Sequence, residues 1–140
     1  MEKALVIETG AVTYHLNGVC DLTFNPTDTA YVERLYNTFE ELDRKQEAYK
    51  AEVEKAQKKE IFDIAKRRDA EMREMIDNAL GAPVCDAVFH DMNVYALADG
   101  LPVWANLLLA IMDEMDTTFA EEQKRTNVRL RKYSDKYKRK

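Results

Sequence analysis

From Thr27 to Ala79 the chain contains neither glycine nor proline. A run of that length, rich in Lys, Glu, Gln, Ala and Leu, leaves helix as the main option, because nothing in it breaks the i to i−4 ladder. Asn25-Pro26-Thr27-Asp28 opens the run with a start signal. Asn25, Thr27 or Asp28 can cap, and Pro26 suits the first turn. Leu35, Phe39, Leu42, Tyr49, Val53 and Ala56 then recur at helical spacing, with Gln46 filling one slot of the stripe. Ile61, Ala65, Arg68, Met72, Met75, Ile76 and Ala79 continue it after a phase shift near Lys58-Lys59-Glu60. A single helix of about fifty residues is unusual in a compact domain, so two helices are expected, with a coiled-coil arm as the alternative.

The first 24 residues have a different period. Ala4 to Ile7 are a short β-prone run. Val12, Tyr14 and Leu16 alternate with Thr13 and His15, and Cys20, Leu22 and Phe24 alternate with Asp21 and Thr23. Asn17-Gly18 between them is a tight-turn pair. An antiparallel ribbon of two or three strands with one apolar face follows, and it must pack on something because such a ribbon is marginal alone.

Leu80-Gly81-Ala82-Pro83 stops the second helix, with Gly81 at the left-handed cap position. A short helix from Pro83 to His90, a loop with a turn of helix from Asp91 to Gly100, and a last helix opened by Leu101-Pro102 complete the order. Trp104, Leu107, Leu108, Ile111, Met112, Met115 and Phe119 mark the apolar face of that last helix. The expected fold is α+β: one domain over residues 1–128, with a β-ribbon over 1–24 and three to four helices over 26–128. Residues 129–140 carry seven Lys or Arg and one Asp, hence +6, and read as a loose basic tail. The remaining 14 basic and 25 acidic residues make the body −11, which argues against nucleic acid as a partner.

Cys85, Asp86, His90 and Asp91 sit close together in sequence and raise the question of chemistry. In a helix from Pro83, His90 points about 140° away from Cys85, so the two do not converge on a metal. The only Cys and His residues are His15, Cys20, Cys85 and His90, too scattered for a zinc set. There is no phosphate loop, G-x-S-x-G or H-E-x-x-H. The reading is non-enzymatic, without metal or cofactor, with Cys85 as a small buried hydrophobe beside a surface histidine. The two distant cysteines, the lack of a signal-peptide pattern and an apolar window too short to span a bilayer point to a reduced cytoplasm and no membrane. Met72, Met75, Met92, Met112 and Met115 read either as core or as an adaptable groove for a partner helix.

Several motifs together resemble a family. Thr13-Tyr14-His15-Leu16-Asn17-Gly18 followed by Asp21-Leu22-Thr23-Phe24-Asn25-Pro26, then Leu80-Gly81, Val84 to Ala87, Val88-Phe89-His90-Asp91-Met92-Asn93, and a closing helix before Lys132-Tyr133-Ser134 are similar to the small tail assembly chaperones of long-tailed phages and prophages of Gram-positive bacteria. His90 stands where that pattern has glycine, and the Gly81 turn lacks a second nearby glycine. The resemblance implies a protein of the host bacterial cytoplasm. It implies that the chain covers the helical tape-measure protein and keeps it soluble while the tail tube assembles, with several copies along one client. In that role the face from Trp104 to Phe119, with Leu107, Ile111, Met112 and Met115 above all, is the candidate contact surface, and intramolecular core is the alternative for each of these residues. Two other classes stay open: an acidic phage-encoded inhibitor of a host defence or nucleic-acid enzyme, and a structural coiled-coil tail component.

Overall fold

The computed structural model describes residues 1–125 and 128–137. Strands β1 (Val12–Leu16) and β2 (Cys20–Phe24) pair antiparallel, with Tyr14 opposite Leu22 and Leu16 opposite Cys20. Asn17 and Gly18 both take positive φ at the turn, as the Asn-Gly pair predicts. Leu22 and Phe24 are buried, while Thr13 bonds Thr23 and His15 meets Asp21 at 2.6 Å on the other face. The ribbon has two strands, not three. Ala4 to Ile7 lie outside any element.

Helices α1 (Thr29–Lys55) and α2 (Lys58–Leu80) form an antiparallel hairpin broken at Ala56-Gln57, where the phase of the apolar stripe shifts. Of the possible caps, Asp28 is the one used: its carboxylate accepts the Ala30 N–H at 3.0 Å. Asn25 instead bonds Thr27 and braces the turn before it. Leu35, Leu42, Met72 and Ile76 are fully buried between the two helices. The thin charged half of the hairpin is laced by ion pairs: Glu52 to Arg67 and Arg68, and Glu71 to Lys45. These bonds hold the Glu52 and Glu71 carboxylates below the usual range. The near end is locked by Tyr31, whose ring stacks on Phe24 at 4.6 Å and whose hydroxyl donates to the Leu80 carbonyl.

Gly81 ends α2 with φ 75 and ψ 22, the left-handed conformation that costs a Cβ-bearing residue most. Then come α3 (Val84–Phe89), a small hairpin of β3 (Leu97–Ala98) and β4 (Leu101–Pro102), and α4 (Val103–Lys124). The hairpin replaces the turn of helix expected over Asp91 to Gly100. Its turn is Asp99-Gly100, both at positive φ, a pair whose hairpin signal is legible in the sequence. α4 has no side-chain cap; its first N–H groups donate to the carbonyls of Ala96 and Val94. The core is continuous from the ribbon through α1, α2, α3 and α4. The basic end also differs from expectation. Arg129–Tyr137 form a fifth helix, α5, because Arg, Lys, Leu and Tyr are adequate helix formers even where like charges crowd. Residues 138–140 of the expected tail, and 126–127, lie outside the described residues. No helix among the described residues is long and apolar enough to cross a membrane.

Candidate functional site

The polar stretch Cys85 to Asp91 is built into the fold by α2. Asp77 on α2 accepts the N–H groups of Val84 and Cys85 at 3.0 and 2.9 Å, supplying from a distance the cap that α3 lacks. Arg73 donates from Nε to Asp69 (3.0 Å), from Nη1 to Asp86 (2.7 Å), and from Nη2 to the carbonyls of His90 (2.8 Å) and Met92 (2.6 Å). Burial opposes the charge on Arg73, but the Asp86 and Asp69 carboxylates outweigh it and raise its pKa. Asp69 also accepts the Val94 N–H, and Asn93 donates to the Ala65 carbonyl. Cys85 is fully buried, and burial, reinforced by the Asp77 carboxylate, pushes its thiol far up, so no thiolate nucleophile forms near neutrality. No group of three or more His, Cys, Asp or Glu among the described residues is placed to hold a metal ion.

His90 is the exception to this local economy. Its backbone sits at φ 51 and ψ −124, a region that residues with a Cβ seldom adopt. The conformation is held by its N–H to the Asp86 carbonyl and its own carbonyl to Arg73. His90→Gly is therefore expected to stabilise the fold by about 1 kcal/mol, relief of strain exceeding the added unfolded-state freedom. A shift of the urea midpoint to lower denaturant would contradict it.

In front of this joint lies an apolar groove of about 560 Å³ between the ribbon and α4. Tyr14, Leu16 and Phe24 form one wall, and Val88, Phe89 and Met92 the base. Leu107, Ala110 and Ile111 of α4 form the other wall, with Glu114 at the rim. The period-two pattern of β1 and β2 and the helical pattern of α4 aim apolar side chains into the same space.

The seven apolar residues singled out on the last helix divide in three. Trp104, Leu108 and Met115 are sealed in the core. Leu107 and Ile111 are also well buried but show their edges in the groove. Met112 is half-buried and Phe119 is 46% exposed, both outside the groove. Helical spacing marks a single stripe and does not say which members meet the body and which meet the groove. Two polar residues matter more than expected, Gln46, which was placed in the stripe without a role, and Arg73, which was not singled out. Gln46 accepts the Trp104 indole N–H at 2.9 Å, which explains a polar residue in the α1 stripe. Arg73 carries the joint, and its one legible sign was the i, i+4 pair with Asp69. Comparison of the chain with family models, with curated proteins and with solved structures finds no match to any of them.

Proposed function

We propose that this chain is a non-enzymatic binding protein that shelters an apolar helical segment of a client, in the manner of a tail assembly chaperone acting on a tape-measure protein. The observation that carries the reading is the open apolar groove walled by Leu107, Ala110 and Ile111, of a shape and character suited to the apolar stripe of a partner helix. The polar stretch Cys85 to Asp91 supports it from the other side, since its Cys85 N–H, Asp86 carboxylate and His90 carbonyl are occupied in holding α2, α3 and the loop together. The identity of the client and the host cytoplasm as the place of action come from the sequence resemblance. Shallow contacts repeated along one long client would give avidity while each copy stays replaceable.

The test is co-expression with a long helical tape-measure protein. The wild-type chain is expected to keep it soluble and to co-purify with it. Ala110→Arg, which fills the groove from an exposed helix position, is expected to weaken capture at least tenfold while leaving the melting curve nearly unchanged. Capture unaffected by Ala110→Arg would remove the groove from the account. Capture that collapses between low and physiological salt would favour the charge-driven inhibitor instead.

A further inference from the structure

The first seven residues are the most exposed apolar segment of the chain. Leu5 is 82%, Val6 100% and Ile7 73% exposed. They follow one another in a β-prone run that pairs with nothing. Such a segment has the β propensity and the exposed backbone to add to an open strand edge. The root of this arm is fixed: the Thr9 carbonyl accepts from Asn25 Nδ2 at 2.7 Å, and the Gly10 N–H bonds the Glu8 carboxylate at 2.8 Å. Asn25 follows β2 directly, so the chain enters β1 from the β2 side of the ribbon end. Folding the arm back along its own β1 would break those contacts.

The complementary feature is also present. Among the described residues β1 has no strand on its outer side, and the apolar groove opens between β1 and α4. A strand laid along β1 would complete a three-stranded sheet and fill the groove together.

We propose that residues Ala4–Ile7 are an exchange arm that adds as a third strand to β1 of a second copy of this chain, with Leu5 and Ile7 directed into that copy's groove. Backbone pairing supplies the attachment and the alternate side chains supply the fit. The inference does not rest on the client-binding reading, since it requires only two copies of the chain. Where both hold, the arm is the groove's occupant until a client displaces it.

Sedimentation of the full chain across a concentration series tests this, with two variants. Leu5→Asp combined with Ile7→Asp alters side chains that are 82% and 73% exposed in the single copy, and Ala110→Arg blocks the receiving groove. The wild type is expected to associate, its apparent mass at least doubling with concentration. Both variants are expected to remain monomers over the same range, with association at least tenfold weaker and circular dichroism unchanged. A wild type that stays monomeric throughout overturns the proposal, as does either variant associating like the wild type. The arm variant should still capture a client, so loss of self-association and loss of client binding are told apart.

Discussion

Replacing Trp104 with alanine is expected to remove about 4 kcal/mol of folding stability, the largest loss from any single truncation in this chain. Trp104 is 1% exposed at the start of α4, where its ring meets Phe39 at 5.5 Å and its indole N–H is donated to Gln46. Truncation forfeits the transfer energy of the ring, leaves a cavity walled by helices that cannot collapse far, and strands the Gln46 amide in a partly buried site. A domain of this size holds roughly 5–15 kcal/mol in total, so the variant should be close to unfolding at body temperature. Urea unfolding followed by far-ultraviolet circular dichroism measures it, since the only tryptophan is gone. Trp104→Phe should recover about half of the loss, because the packing returns without the hydrogen bond. A loss below about 1 kcal/mol for the alanine variant would mean that α4 is not anchored through this residue.

Arg73→Met should cost about 3 kcal/mol. The side chain is 13% exposed and joins two carboxylates to two carbonyls. Methionine keeps most of the volume but abandons the Asp69 carboxylate and the carbonyls of His90 and Met92, which are held in place by other bonds. Asp86 contributes little to the penalty, since it is 88% exposed and returns to water. Arg73→Lys should rescue less than half, because one ammonium cannot reach acceptors spread over α2, α3 and the loop as the planar fork does. The signature is local: amide exchange over residues 84–95 should accelerate ahead of the rest of the chain. Uniform acceleration, or a loss near zero, would show that the joint is held by packing alone.

The two substitutions mark the boundary between what could be read in the residue order and what could not. The alternation around Asn17-Gly18, the breaker-free run ending at Gly81 and the stripe from Trp104 to Phe119 each name an element, because strand and helix periods are properties of neighbouring residues. The same locality placed the break between α1 and α2 near Lys58 and the stop at Leu80. It left two or three strands open for the ribbon, and the structure has two, with Ala4 to Ile7 outside them. It failed at the basic end, where charge density spoke for a tail and helix propensity prevailed. The candidate site was half legible. Leu107 and Ile111 were in the stripe and Met92 was among the methionines read as core or as a groove, but Ala110 had no signal to set it apart.

By itself the residue order determined the α+β class, the order of ribbon and helices, and the burial of Cys85 beside an exposed His90. Only the tertiary structure decided that Arg73 and Asp77 serve the loop and α3, that Gln46 answers Trp104, and that the ribbon stands off α4 to leave a groove. The physical reason is that a helix or strand satisfies its own backbone through residues close in sequence. The orphan groups at its ends, and the two sides of its apolar stripe, find their partners among residues that only packing brings near.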